Sequence, residues 1–354
     1  MGQAADLPGP PRRGNLSGKV VVVTGGSAGV GRATALLFAR HGARVALIAR
    51  DEAGLQDARA EIGAAGGDAR IFPADVADAA AVSAAAIACE DQLGPVDVWV
   101  NNAMATVFSP VSALTAEEIQ RVTDVTYMGC VHGTLAALRQ MRPRGRGVIV
   151  QVGSALAYRG IPLQSAYCAA KHAIRGFTDS LRTELEHEGS AVRVTAVHLP
   201  AINTPQFDWA RTHDSALPRP VAPVYAPEAA AEAIVRAAVR PAREVWLGAS
   251  TPATILGNAL APALMDRYLA SRAVDGQRRD GPPGPDRADN LFQPVPGKHR
   301  TRGSFSKEVR RKPVRMPGPA ARGGALAATC AAAAAAGVAL GLHLAARPKN
   351  AGPR

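Results

Sequence analysis

Tyr167 and Lys171 stand four residues apart in the run Tyr167-Cys168-Ala169-Ala170-Lys171. On a helix that spacing puts both side chains on one face. A phenol, with a pKa of about 10, is a poor base at neutral pH. An ammonium beside it favours the phenolate and draws that pKa toward the working range. Ser154 lies thirteen residues before Tyr167, where its hydroxyl can bond a substrate oxygen and steady charge developing there. Together the three are a candidate device for moving a proton onto or off a carbonyl or alcohol oxygen. Tyr-x-x-x-Lys also occurs in many helices that do no chemistry. The pair gains meaning only from what else the chain places near it.

The second constellation is Thr24-Gly25-Gly26-Ser27-Ala28-Gly29-Val30-Gly31. It follows the unbroken β-branched run Val20-Val21-Val22-Val23 and opens a helix predicted over 30–41. Gly25, Gly29 and Gly31 let the backbone turn tightly and approach a pyrophosphate, whose charge then faces a helix N-terminus. At a strand–helix junction this reads as a dinucleotide-binding loop, with Thr24, Ser27 and Val30 as its other contact candidates. The end of the next strand selects the dinucleotide. An acidic residue there accepts hydrogen bonds from the ribose hydroxyls of NAD. Here that position is Ala49, followed by Arg50. A guanidinium suits a 2′-phosphate through its planar fork. NADP(H) is therefore expected ahead of NAD(H), although Asp51 next door can still touch a ribose.

These groups need a scaffold that carries a glycine turn and a helix face to one edge. From Lys19 onward, strands alternate with helical stretches. Strands are predicted over 20–23, 44–49, 69–74, 96–100, 147–152, 192–199 and 244–247. The main later helices are predicted over 115–141, 165–188 and 227–239. This alternation implies an α/β fold, a Rossmann-like doubly wound parallel sheet of seven strands with helices on both faces. Residues 18–250 form the expected catalytic domain, after a flexible leader over 1–17. Beyond it come a helical segment at 251–274, amphipathic over 254–270, and a basic Pro/Gly/Arg-rich arm at 275–324, expected to be irregular.

The spacing G-x-x-x-G-x-G, with Ser154, Tyr167 and Lys171 in order, resembles the short-chain dehydrogenase/reductase superfamily. The resemblance covers residues 18 to about 250 and rests on five motifs. It implies that Tyr167 is the general acid/base, that Lys171 lowers its pKa and holds the nicotinamide ribose, and that Ser154 positions the carbonyl. Asp75-Val76 resembles the family's adenine contact. Asn101-Asn102-Ala103 matches its Asn-Asn-Ala motif beside the cofactor, with Met104 where a glycine often follows. Pro200-Ala201-Ile202-Asn203-Thr204 is similar to its Pro-Gly motif, with Ala201 for Gly, and implies that Thr204 reaches the nicotinamide carboxamide. One position departs. Thr126, in Val125-Thr126-Tyr127-Met128-Gly129, stands where many members have an Asn that holds a water in a proton relay to the Lys. A hydroxyl makes fewer hydrogen bonds than an amide, so a reduced rate is the expectation. Residues 203–225 fall where the family places its substrate lid, and Phe207, Trp209 and Leu217 are candidate pocket residues there.

The net charge of +12 is not spread over the chain. Residues 271–354 hold 16 Lys/Arg against 5 Asp/Glu, which leaves residues 1–270 at +1. A near-neutral body argues against a nucleic-acid partner, and the tail offers arginines without an aromatic platform. Cys89, Cys130, Cys168 and Cys330 form no C-x-x-C pair, which suits reduced thiols in the cytoplasm. The start of the chain shows no signal peptide, and Asp6 stands where a myristoylation motif has Ser or Thr. Residues 325–346 are 22 residues without a formal charge, 12 of them Ala. As a helix at 1.5 Å per residue they would reach about 33 Å, against a bilayer core of roughly 30 Å. They are a candidate transmembrane helix by length and an Ala-rich helix in water by hydropathy. The greater basic excess before them than in the terminus 347–354 would keep the catalytic domain in the cytoplasm. Two functions remain in view: an NADP(H)-dependent oxidoreductase acting on a lipophilic alcohol or carbonyl as a homo-oligomer, as is usual in the family, and an NADP(H)-binding sensor or scaffold with weak or no turnover. No metal is expected.

Overall fold

The computed structural model describes residues 16–284, 287–297, 299–310 and 315–318. Seven parallel strands run through it: β1 (Val20–Thr24), β2 (Arg44–Ala49), β3 (Asp68–Pro73), β4 (Val96–Asn101), β5 (Val148–Ser154), β6 (Arg193–Leu199) and β7 (Glu244–Leu247). Their spatial order is β7-β6-β5-β4-β1-β2-β3. An eighth strand, β8 (Arg315–Pro317), pairs antiparallel with β7 and covers that edge of the sheet. The helices longer than one turn are α1 (Gly29–Arg40), α2 (Glu52–Ala64), α3 (Ala79–Leu93), α4 (Ala116–Thr123), α5 (Gly129–Met141), α6 (Ser165–His187), α7 (Pro227–Val239), α8 (Ser250–Leu260) and α9 (Pro262–Arg272).

The valine run explains why the sheet is buried on both sides. Successive side chains of a strand point to opposite faces. Val20 and Val22 therefore join Trp99, Ile149 and residues of α3, α5 and α6 on one face. Val21 and Val23 join Phe38 of α1, Leu55 and Ile62 of α2, and Ile234 of α7 on the other. All four valines are essentially inaccessible to solvent, the condition under which a parallel sheet is stable. Strand order reverses at β1, which lies between β2 and β4. In an open α/β sheet a ligand crevice opens at that reversal, outside the carboxyl ends of the strands.

Local chemistry fixes the helix starts. Asp51 accepts from Gly54 N at the start of α2, and Asp78 accepts from Ala80 N and Ala81 N at the start of α3. Thr115 and Glu118 form a reciprocal capping box on α4.

Three expectations are corrected. The helix expected over 115–141 is interrupted by a π-helical turn, Asp124–Met128, between α4 and α5. The helix expected over 254–270 is two helices, because Pro262 forces Ala261 out of the helical region (φ −145°, ψ 62°). The arm expected to be irregular from 275 instead supplies β8, and residues 289–297 and 299–310 lie packed on the body. Composition misleads here, because arginines tie the segment down through partners far away in sequence, as Arg278 does through Asp214 and Arg302 through Glu228. The seven parallel strands stand as expected, and that same arm adds an antiparallel eighth at the edge.

The segment 325–346 and the leader lie outside the described residues, apart from Leu16 and Ser17. No helix among the described residues is long and apolar enough to cross a membrane. Phe38 is fully buried between α1 and the sheet. Phe38→Ala should cost about 3–5 kcal/mol of stability, read as a lower urea midpoint with an unchanged slope.

Candidate functional site

The glycine loop is tight because β1 and β4 are neighbours. Gly25 has φ +67°, and a Cβ there would stand 2.9 Å from Asn102 Nδ2 and 3.0 Å from the Ala103 Cα. A Cβ on Gly31 would stand 2.1 Å from the Gly25 carbonyl oxygen. No side chain fits at either place. Asn102 Nδ2 donates to the carbonyls of Thr24 at 3.0 Å and Gly25 at 3.4 Å, so it braces the turn from the β4 side.

Thr24 braces it too, and does not face the crevice. Its hydroxyl accepts from Asn102 N at 2.9 Å and Ala103 N at 3.1 Å and donates to the Val100 carbonyl at 3.3 Å. The cofactor contact expected of Thr24 is thus corrected to a support for the loop. Gly31 likewise packs under the turn. Asn101 turns away, into a buried network with Trp99, Thr134 and Gln151.

A cavity of about 660 Å³ lies along the carboxyl edge of the sheet. Arg50, Asp75 and Val76 line one end, and Gly25, Ser27, Gly29 and Val30 line the middle. Asn102, Ala103, Pro200 and Thr204 continue the wall toward Ser154, Tyr167 and Lys171. The cavity thus unites most of the residues that the sequence singled out.

At the reactive end, Ser154 closes β5 and Tyr167 and Lys171 share one face of α6. The Ser154 hydroxyl accepts from Leu156 N at 3.1 Å and bonds the Tyr167 phenol. Lys171 is buried, donates from Nζ to the Val152 carbonyl at 2.8 Å, and lies 5.6 Å from the centre of the Tyr167 ring.

The pKa directions depart from expectation. Burial pushes the Tyr167 phenol up, Cys168 adds to the rise, and the bond to Ser154 opposes it. Burial also brings Lys171 down to about 8, with Cys130 opposing. The ammonium is committed to a carbonyl, and loss of water costs both charged forms more than their proximity returns. Tyr167 is therefore a protonated phenol at neutral pH.

Thr126 is a second correction. It is fully buried in the π-helical turn, and its hydroxyl both donates to the Ala105 carbonyl and accepts from Ala105 N, each at 3.0 Å. The hydroxyl at the position where many members have the relay Asn instead pins the loop after β4. Thr126 does not line the cavity.

At the far end, Arg50 donates to the main-chain carbonyls of Asn290, Leu291 and Phe292 at 2.6, 3.4 and 2.8 Å. Among the described residues it has no carboxylate partner. Burial first, then the neighbouring Arg121, push its pKa down, while Asp75 opposes. Asp75 itself pairs with Arg121 at 2.5 Å and caps the turn at Ala77 N.

Phe207 and Trp209 line the cavity, and Leu217 does not, since it pairs with Arg279 in a two-residue ladder. Residues missed by sequence reasoning line the rest: Arg159, Thr254, Met265 and Leu269 on one side, Pro294, Val295 and His299 on the other. They carry no motif. Only the amphipathic pattern near 254–270 hinted at any of them.

A family model for the short chain dehydrogenases matches residues 19–214. A Bacillus subtilis (strain 168) protein described as an uncharacterized oxidoreductase, YxnA, is 34% identical over 307 residues, covering 84% of this chain and 86% of that one. A metagenomic short-chain oxidoreductase solved with NADP is similar at 29% identity and a TM-score of 0.54, over 64% of this chain and 93% of that one. An NAD+-bound xylitol dehydrogenase is similar at 30% identity and a TM-score of 0.51, over 53% of this chain and 72% of that one. With this site geometry and these relatives, the chain belongs to the short-chain dehydrogenase/reductase family, whose oxidoreductases act on CH–OH groups with NAD or NADP.

Proposed function

We propose that the chain is an NADP(H)-dependent oxidoreductase that interconverts a lipophilic carbonyl compound and its alcohol, with Tyr167 as the proton donor to the carbonyl oxygen. The observation that carries this reading is the partly buried Tyr167, bonded to Ser154 and beside Lys171, in the cavity that the glycine loop shapes. The residues present fit a dinucleotide. Gly25 and Gly31 keep free a turn that any Cβ would fill, and α1 points its first amides at that turn. A bound nicotinamide supplies the hydride acceptor or donor, and the protein supplies orientation and proton handling.

In the reduction direction Ser154 and Tyr167 hold the carbonyl oxygen by two hydrogen bonds, and the Tyr167 proton moves onto it as charge develops. Lys171 in its ammonium form then steadies the phenolate left behind. Gly25, Ser27, Gly29 and Val30 take the pyrophosphate region, and Thr204 and Pro200 bound the nicotinamide end. Asp75 and Val76 bound the adenine end.

NADP is favoured by the electrostatics at Arg50. A partly buried guanidinium beside a second one, with only neutral carbonyls as acceptors, is relieved by an anion. The pocket beyond Tyr167 is largely apolar, lined by Phe108, Leu156, Ile161, Phe207 and Met265, which favours a lipophilic substrate.

Tyr167→Phe should lower carbonyl reduction by about 10²–10⁴-fold while NADPH still quenches protein fluorescence on binding. For the unmodified protein, reduction should hold level at neutral pH and fall as pH rises through about 8, where Lys171 loses its proton. Alcohol oxidation, which needs the phenolate, should climb with pH instead. A reduction rate that rises through pH 8 would overturn the assignment of Lys171. Arg50→Ala should remove a charge-assisted contact worth about 1.5–3 kcal/mol. The KM for NADPH should then rise roughly tenfold to a hundredfold while that for NADH stays put, as steady-state kinetics with both cofactors would show.

A further inference from the structure

Residues 289–297 and 299–303 cross the open side of the crevice, and neither the glycine loop nor the Tyr–Lys pair requires them. The run is anchored, not merely adjacent. Leu291 is fully buried in the core on the α3 side of the sheet. Asp289 shapes the start: one carboxylate oxygen accepts from Leu291 N at 3.0 Å, the other from Arg211 Nε at 2.9 Å. Carbonyls of Asn290, Leu291 and Phe292 hold Arg50. Further on, His299 Nε2 lies 2.7 Å from Asp51 Oδ2 and 3.1 Å from the Val295 carbonyl, with its ring against Trp209. The His299 carbonyl accepts from Arg32 at 3.0 Å, and the Arg300 carbonyl accepts from Gly29 N at 3.0 Å. Gly303 N donates to the Asn203 carbonyl at 3.2 Å and closes the run onto the loop after β6.

Two of these contacts fall on groups that a dinucleotide's anions would seek. Gly29 N–H belongs to the first turn of α1, and Arg50 stands at the adenosine end. Both are held by neutral carbonyls, whereas hydrogen bonds to an ionised phosphate are about twice as strong. Asn290, Pro294, Val295 and His299 line the same cavity as the glycine loop. The run is therefore a roof over that space, latched to the rim of the crevice at Arg50, Asp51 and Gly29.

We infer that this run is a strap gating the cofactor. The dinucleotide enters and leaves only when the strap lifts, and His299 is the positioning residue whose grip on Asp51 sets how often it lifts. This rests on the reading of the crevice as a dinucleotide site. Gly54 supplies an independent handle, because a Cβ there would stand 2.6 Å from the His299 ring.

The test is stopped-flow fluorescence of NADPH with the full chain, His299→Ala, Gly54→Ala and the double variant. A loosened gate passes traffic both ways, so association and release should each quicken about tenfold. Gly54→Ala should add little once His299 is gone. Faster association with unchanged release would mean that the strap competes with the cofactor instead of enclosing it, and would overturn the gate. Unchanged rates in both directions would make the run a fixed wall and would overturn the gate as well. In the unmodified protein NADPH should slow tryptic cutting after Arg300 and Arg302, mapped by mass. Cutting indifferent to NADPH, in a protein that binds NADPH, would also overturn the gate. Failure of the unmodified protein to bind NADPH at all would instead sink the dinucleotide reading beneath it.

Discussion

The contact between the Gly25 carbonyl and Gly31, with Asn102 pressed against the same turn, is the constraint on which the site depends. It leaves no room for a Cβ, and it exists only because β1 and β4 lie side by side where the strand order reverses. From it follow the aim of α1, the opening of the crevice and the position of the β4 end that Thr24 and Asn102 secure. The hydrophobic sheet beneath, buried on both faces, keeps that geometry rigid.

Burial then sets the chemistry of the reactive end. Tyr167 and Lys171 are usually thought of as a charged couple, yet here removal from water dominates and each leans toward its neutral form. The phenol therefore keeps its proton at neutral pH. The same cost of desolvation acts at the other end of the cavity, where Arg50 is held by carbonyls alone. One end holds a neutral phenol and the other a guanidinium bonded only to carbonyls, and the glycine turn lies between them.

The C-terminal arm joins these ends from above. Its Leu291 is as buried as any core residue, and its carbonyls sit on Arg50 and Gly29. A match covering 84% of the chain reaches beyond residues 19–214, which the family model matches.

Local sequence determined what depends on neighbours along the chain. The valine run, the glycine spacing at its end and the i, i+4 pairing of Tyr167 and Lys171 are short-range patterns, so the parallel sheet, the loop and the shared helix face were legible. Thr126 and Thr24 were not, because a hydroxyl's partner is a backbone group brought close only by folding: Ala105 for one, Asn102 and Ala103 for the other. The direction of the Tyr167 and Lys171 shifts was equally hidden, since burial is a property of the whole packing. Arg50 was legible as a cation but not as one already held by carbonyls 240 residues away. Pro, Gly and Arg give the arm a disordered composition, and only tertiary structure decided otherwise, by supplying the distant acidic and carbonyl partners that fix its arginines and the core that takes in Leu291.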